Sequence, residues 1–213
     1  AVCFHPDFDY SAYKSVNEYF IIANGLAESF MAITGQQLGE RVPLTTDNIR
    51  SLKVQHPFIN RESKVIFGDF VTLDQGTGIV HIAPGHGLED YIVGLEYGLD
   101  IFCPVDDEGK FTDEFAPMKG INVFDANPKI IELLKEKNVL IFTNTIDHSY
   151  PHCWRCKQPL IFRATPQWFL LIDHNNMRQL ALQVTDEVQW IPEWGKIRFK
   201  SMVETRPDWC LSR

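Results

Sequence analysis

The residue types best suited to chemistry are concentrated in residues 76–91 of this 213-residue sequence. An apolar run typical of a strand leads into a glycine-rich turn, and the turn opens onto an amphipathic helix. Such a turn leaves backbone N–H groups free at the helix N-terminus and lets a ligand approach the main chain at Gly85 and Gly87. No Gly-Lys-Ser/Thr follows, so the turn is not a phosphate-binding P-loop. The glycines alone do not identify the ligand.

Two side chains in this stretch are suited to a functional role. His81 shares a predicted strand face with Ile79 and Ala83, so it is either a hydrogen-bonded core histidine or part of a pocket wall. Asp90 lies in the first turn of the predicted helix, where the helix dipole favours an anion with or without a function. In a cleft, its carboxylate would suit the ammonium group of a substrate. From the residues alone, both alternatives stay open at each position.

A second group of reactive residues, 148–157, contains Cys153 and Cys156 in a C-x-x-C pattern, with His148 and His152 nearby. Structural zinc takes four ligands, and this segment offers two thiolates with the histidines poorly placed to supply the rest. A redox pair is expected at a helix N-terminus after a strand, whereas these cysteines lie in a proline-flanked loop. We interpret the pair as half of a metal site and expect the chain to bind zinc weakly or not at all.

The elements that must position these residues alternate between strands and helices, which predicts a mixed α/β fold. Strands are predicted at 2–4, 19–23, 49–55, 65–67, 70–73, 78–83, 139–142 and 160–164. Helices are predicted at 26–34, ended by Gly35, at 88–97, ended by Gly98, and from Asn127-Pro128 onward. We predict a compact body at residues 1–150 and a connecting segment at 151–213, which begins with loop residues and carries three tryptophans within residues 174–213.

Composition excludes several classes of protein. Hydrophobic residues make up 45% and charged residues 23%, which is ordinary for a globular chain and excludes disordered, collagenous and coiled-coil classes. No apolar run approaches the roughly 18 residues of a membrane helix. The sequence starts without Met and without a signal peptide, and its five cysteines are dispersed, so we expect a cytoplasmic, reduced protein from which a piece was cut.

Charge is unevenly distributed along the chain, whose net charge is −8. Residues 1–150 hold 11 Lys or Arg against 22 Asp or Glu, whereas residues 151–213 hold 9 against 6. Contact with phosphate is therefore expected in the last third. A charged surface facing another part of a parent protein is the alternative.

Four separated motifs occur in a fixed order along the sequence. They are residues 76–91, His148-Ser149-Tyr150-Pro151-His152-Cys153-Trp154-Arg155, Arg163-Ala164-Thr165-Pro166-Gln167-Trp168-Phe169 and Arg206-Pro207-Asp208-Trp209-Cys210-Leu211-Ser212-Arg213. Together they resemble the inserted editing domain of the isoleucyl-tRNA synthetases, within the class I aminoacyl-tRNA synthetases, over nearly the whole chain. Pro84-Gly85-His86-Gly87 favours this branch over the valyl and leucyl relatives, which typically have Pro-Ala-His-Asp.

The resemblance implies a fold and a substrate. The fold is a compact β-barrel-like editing body with short peripheral helices, followed by an arm that returns toward the catalytic body of the synthetase. The substrate is valine esterified to the 3′ end of the isoleucine tRNA, or valyl-adenylate. Isoleucine and valine differ by one methylene, a difference too small for one binding site, and isoleucyl-tRNA synthetases are the standard example of this problem. The domain would hydrolyse the wrong product, with water as nucleophile.

The resemblance also assigns roles to residues. Asp90 would anchor the α-ammonium group and His81 would line the pocket and help exclude isoleucine, so both are our predicted catalytic residues. Thr77, Gly78, Gly85, His86 and Gly87 would complete the substrate-binding site. The other half of the zinc knuckle and a threonine-rich strand of the pocket lie upstream in the family, so zinc belongs to the parent enzyme and the fragment itself needs no cofactor. ATP binding and aminoacylation also belong to the parent.

Partners and competing hypotheses follow from this interpretation. The expected partners are the tRNA, valine or valyl-adenylate, and the rest of the synthetase, with no membrane and a monomeric state. The alternatives are a tRNA-docking and folding module without catalysis, a zinc-binding structural module, and the editing domain of a valyl or leucyl relative.

Overall fold

The computed structural model describes residues 1–16 and 18–212 and contains both helices and short strands. The mixed α/β class is therefore confirmed. The chain divides into two compact units, Ala1–Ala164 and Thr165–Arg213. The predicted division into residues 1–150 and 151–213 lies nearby and stays a prediction about functional domains.

The first unit contains most of the regular structure. Its strands are β1 (Val2–Phe4), β2 (Tyr10–Lys14), β3 (Tyr19–Ala23), β4 (Arg41–Leu44), β5 (Val54–Gln55), β6 (Glu62–Ser63), β7 (Val65–Phe67) and β8 (Ile79–His81). Its α-helices are α1 (Ala27–Thr34), α2 (Thr46–Arg50), α3 (Leu88–Glu96) and α4 (Val123–Glu136). Short 3₁₀ turns occur at Asn24–Leu26 and Asp113–Met118.

The sheets of this unit are small and open. β1 lies between β7, to which it is parallel, and β8, to which it is antiparallel. β2 lies between β3 and β4 in an antiparallel sheet, and β5 pairs with β6. The expected β-barrel-like body is not confirmed, because no strand order closes on itself among the described residues. Within their sheet, β7 and β8 are each paired on one side, whereas a closed barrel pairs every strand on both sides.

The core of the unit fixes the position of β8. The Phe4 and Tyr10 rings meet edge to face with centroids 5.0 Å apart, and the Tyr10 hydroxyl donates a 2.6 Å hydrogen bond to the Gly78 carbonyl oxygen. Both rings are buried, and an aromatic pair of this geometry adds about 0.5–1.5 kcal/mol to the effect of burial. The residues that follow β8 therefore start from a firmly held strand. Other buried residues of this core are Phe20, Ile22, Leu26, Phe30 and Ile49, and a second cluster contains Cys3, Ile66, Val71, Ile82 and Val93.

Two helices begin where side chains cap them. α4 begins at Val123 rather than at Asn127, because the Asn122 side chain accepts a hydrogen bond of 3.1 Å from the Phe124 N–H. α2 replaces the first part of the strand predicted at 49–55, because Thr45 and Asn48 form a capping box. α1 ends at Gly35 as predicted, with a left-handed φ of 71° at that glycine.

Three predicted strands are not formed. Residues 70–73, 139–142 and 160–164 contain no strand residues. The last segment is held by isolated hydrogen bonds, from Leu160 N–H to the Pro151 oxygen (3.0 Å) and from Ala164 N–H to the Gly85 oxygen (2.8 Å). An apolar run forms a β-strand only when a neighbouring strand pairs with it. These three runs have no such partner strand among the described residues.

The second unit is a pair of helices with a small two-stranded sheet. Its elements are β9 (Phe169–Leu170), α5 (Met177–Glu187), α6 (Trp194–Glu204) and β10 (Trp209–Cys210), with a 3₁₀ turn at His174–Asn176. Arg178 pairs with Asp173 and donates to carbonyl oxygens at the C-terminal end of α6. Across residues 1–16 and 18–212, no helix combines the length and the apolar character needed to cross a membrane.

Candidate functional site

The first unit contains a cavity of about 360 Å³ beside the end of β8. One part of its wall is apolar and aromatic, with Phe58, Ile59, Phe102, Phe111, Phe115 and Ile130. Another part carries basic groups, with His56, Arg61, Lys64, His81 and His86, and the carboxylates of Glu62 and Asp100 also line it. A cavity with these two kinds of wall can hold an aliphatic group while polar and charged groups bind the rest of the ligand.

The turn between β8 and α3 is packed tightly against the segment around Phe102. A Cβ atom at Gly85 would lie 2.2 Å from the Phe102 carbonyl oxygen, so only glycine permits this approach. His86 N–H donates to the Ala83 oxygen at 2.9 Å, which closes the turn. Pro84 packs under α3, where a Cβ at Gly94 would lie 2.8 Å from its Cγ. The turn is therefore a fixed part of the cavity wall.

His81 lines the cavity at the last position of β8, opposite Val2 of β1. Its side chain keeps accessible surface, but neighbouring protein atoms replace part of the bulk water around the imidazole. This desolvation lowers the pKa of His81. The α-ammonium group of Ala1 and the guanidinium of Arg61 lower the pKa further, and the carboxylate of Asp90 raises it. The imidazole is therefore neutral at pH 7 and can accept a proton. The placement favours the pocket-wall interpretation over a packed core histidine.

Asp90 occupies the third position of α3, next to Ala83. Its Oδ2 accepts a 2.8 Å hydrogen bond from the Ala83 N–H, and Ala83 itself lines the cavity. Asp90 is not among the residues that line the cavity. The carboxylate thus ties the helix to the turn, and its role as an ammonium anchor stays a prediction.

Of the other predicted binding residues, His86 lines the cavity, whereas Thr77, Gly78, Gly85 and Gly87 do not. His86 lines the cavity, and its Nδ1 lies 3.1 Å from the Phe162 carbonyl oxygen. Gly87 is the N-cap of α3, and its carbonyl oxygen accepts from the Tyr91 N–H. Thr77 and Gly78 lie outside the cavity lining, at the entry to β8, where their carbonyl oxygens accept hydrogen bonds from Ala23 N–H and the Tyr10 hydroxyl. These last two residues hold the strand that carries His81.

Sequence reasoning missed the wall formed by residues 56–64. His56 Nδ1 accepts from the Ile59 N–H at 3.2 Å, so its Nε2 carries the proton. Desolvation lowers the pKa of His56, and Arg61 and His81 add to this effect. The Arg61 guanidinium lies over the Phe102 ring, 5.2 Å from its centroid. The run from His56 to Lys64, with three basic residues around a turn, is the signal that could have identified this wall.

The two cysteines of the C-x-x-C pattern lie in a tight loop. Cys153 N–H donates to the Gln158 oxygen, and Lys157, with a left-handed φ of 59°, donates its N–H to the Cys153 oxygen. Backbone N–H groups of Cys156 and Arg155 lower the pKa of the Cys153 thiol, which favours the thiolate. Among residues 1–16 and 18–212, no group of three or more His, Cys, Asp or Glu side chains is arranged to hold a metal ion. The described residues thus do not form a four-coordinate zinc site, and the cofactor expectation stays a prediction.

Comparison with known proteins decides the family. The family model of the class I tRNA synthetases (I, L, M and V) matches residues 8–213. The chain belongs to the class I tRNA synthetases. This finding confirms the resemblance carried by the four motifs.

Close relatives of this class I synthetase chain are isoleucine–tRNA ligases. The protein of Thermotoga neapolitana is 53% identical over 100% of this chain, that of Persephonella marina 51% over 98%, and that of Geobacter sulfurreducens 47% over 100%. The chain spans 23% of the length of these relatives. In fold it is similar to the crystal structure of GlLeuRS-CP1, with a TM-score of 0.51, 16% identity, and coverage of 68% of this chain and 78% of that one.

Proposed function

We propose that this chain is a hydrolytic editing domain that removes valine from the 3′ end of mischarged isoleucine tRNA. The observation that carries the proposal is the cavity at the end of β8, where a neutral imidazole faces aromatic and aliphatic side chains. The relatives of the chain support mischarged isoleucine tRNA as the substrate, because isoleucine–tRNA ligases at about 50% identity align with the whole chain. Valyl-adenylate, whose acyl group is the same, is a second substrate.

The apolar wall provides the selectivity for valine. When the acyl side chain is held against this wall, one more methylene collides with the wall atoms, and overpacking of this kind typically costs about 1–3 kcal/mol. His81 lies where β8 ends in the cavity, so its imidazole limits the length of the acyl side chain. Valine is admitted and isoleucine is excluded.

Hydrolysis requires water activation and a fixed orientation of the ester. A neutral His81 accepts a proton from the attacking water, because its pKa is lowered and its nitrogen is unprotonated at pH 7. Asp90 does not line the cavity itself, but it is hydrogen-bonded to Ala83, which does. In this proposal the α-ammonium group lies beside Ala83 and binds the carboxylate oxygen that does not accept the Ala83 N–H. The N–H groups at the N-terminus of α3 contribute dipoles that favour the tetrahedral oxyanion. No nucleophilic serine or cysteine is needed.

The cellular setting belongs to the same proposal. The chain acts in the cytoplasm, as a monomeric part of a synthetase, with the acceptor end of tRNA as its macromolecular ligand. Activation of isoleucine with ATP takes place in the remainder of that enzyme.

The test is release of valine from valyl-tRNA by the purified chain, compared with a blocked cavity. Ile130→Trp fills the apolar side of the cavity, and Ile131→Trp places the same bulk at the neighbouring position of α4, which does not line it. We expect the wild type and Ile131→Trp to release valine above the protein-free rate and Ile130→Trp to lose that activity. Binding of tRNA without any valine release would support a non-catalytic docking module instead.

A further inference from the structure

Arg61 lines the cavity and contacts the aromatic ring of Phe102. Its guanidinium carbon lies over the Phe102 ring, 5.2 Å from the ring centroid, in a cation–π contact. Arg163 and Arg178 pair with Asp107 and Asp173, whereas Arg61 has no carboxylate partner among residues 1–16 and 18–212. Its donors at the edge of the plane are therefore free for a ligand.

The surroundings of Arg61 favour an anion. The positive charge of Arg61 lowers the pKa of His56 and of His81, so its field reaches two imidazoles that line the cavity. Lys64 lines the same wall and donates to the Gly98 carbonyl oxygen at 3.4 Å. Glu62 and Asp100 also line the cavity, and neither forms a salt bridge with Arg61 within the described part of the chain.

We propose that Arg61 binds the phosphate of an adenosine nucleotide at this cavity. The guanidinium of Arg61, positioned over Phe102, is planar and has parallel N–H groups that match two phosphate oxygens. The inference rests on the proposed editing function, which brings an aminoacylated adenosine into the cavity. The phosphate is either the diester that precedes the terminal adenosine of aminoacyl-tRNA or the phosphate of aminoacyl-adenylate.

The first experiment measures binding of adenosine 5′-monophosphate and of adenosine to the purified chain by NMR titration. We expect the monophosphate to bind about tenfold or more tightly than adenosine, since a charge-assisted hydrogen bond has at least this effect. Arg61→Gln should remove the preference. Arg50→Gln should keep it, because Arg50 makes the same kind of stack on Phe67 outside the cavity. Equal affinities in the wild type, or a preference that survives in Arg61→Gln, would overturn the inference.

The second experiment separates the two sources of the phosphate. If the diester of tRNA is bound, Arg61→Gln raises the KM for valyl-tRNA about tenfold and changes kcat little. If the adenylate is bound, the KM for valyl-tRNA stays constant while affinity for a non-hydrolysable valyl-adenylate phosphonate falls by the same factor. No change in either quantity contradicts a role for Arg61. A wild type that binds the monophosphate preferentially but hydrolyses no valyl-tRNA would refute the editing function and leave the phosphate site standing.

Discussion

Replacing Gly85 by alanine tests whether the turn before α3 is a fixed part of the site. The added Cβ would lie 2.2 Å from the Phe102 carbonyl oxygen and 2.8 Å from its carbonyl carbon. Both are backbone atoms, so no side-chain rotation relieves the contact. Restoring an ordinary separation of about 3.5 Å requires the turn and the Phe102 segment to move apart by about 1 Å. We expect the free energy of unfolding to fall by about 1–3 kcal/mol.

The assay is urea unfolding of the chain together with valine release from valyl-tRNA. In thermal unfolding of a unit of this size, each kcal/mol lost from the free energy of unfolding lowers the Tm by about 2–4 °C. Gly39→Ala is the matched control, because a Cβ there would meet only the Lys14 oxygen at an ordinary 3.5 Å. That substitution should leave the protein as stable or more stable by about 0.4–1 kcal/mol. A Gly85→Ala protein with wild-type stability and wild-type hydrolysis would refute the argument that close backbone approach shapes the cavity.

Three further predictions concern ionisable groups near the cavity. Asp90→Ala and Asp90→Asn should both abolish valyl-tRNA hydrolysis if the charge binds the substrate ammonium; if Asp90→Asn, which keeps an acceptor for the Ala83 N–H, stays active, the role is structural. His81→Ala should raise the ratio of isoleucyl-tRNA to valyl-tRNA hydrolysis about fivefold or more, and an unchanged ratio with a lowered Tm would indicate a packing role. The pKa values of His56 and His81 are lowered on folding, so the unfolded chain binds more protons just below pH 6.5. Urea unfolding at pH 7.5 and 5.5 should therefore show lower stability at the acidic pH, and a smaller difference in His81→Gln; equal differences would contradict the assignment.

The segment with the strongest local signals could be predicted from sequence. The strand before His81, the turn at Gly85 and the helix that follows agree with the structure, because strand residues, glycines and an amphipathic helix succeed one another without competition. The end of α1 at Gly35 agrees for the same reason. These elements carry His81 and Asp90, so two central residues of the candidate site were placed on the correct elements. The conformation of these strands, turns and helices is decided by preferences of neighbouring residues in the sequence.

The remainder of the cavity depends on tertiary contacts that leave little trace in the sequence. β5 and β6 each have two residues, too few for an alternating pattern, yet they bring His56 and Arg61 into the wall. The contact between Gly85 and Phe102 joins segments that are separated along the chain. The strand predicted at 139–142 failed because strand pairing is non-local and that run has no partner. The β-barrel-like body implied by the resemblance is not confirmed, and closure of a barrel likewise depends on non-local strand pairing.

The most direct test of the editing account is a side-by-side time course of valyl-tRNA and isoleucyl-tRNA hydrolysis by the purified chain. The account predicts that valine is released above the protein-free rate and at least about fivefold faster than isoleucine, the factor that corresponds to the lower limit of the overpacking cost. Equal hydrolysis of both esters would contradict the selective cavity. Protein-free rates for both would contradict the hydrolytic function itself.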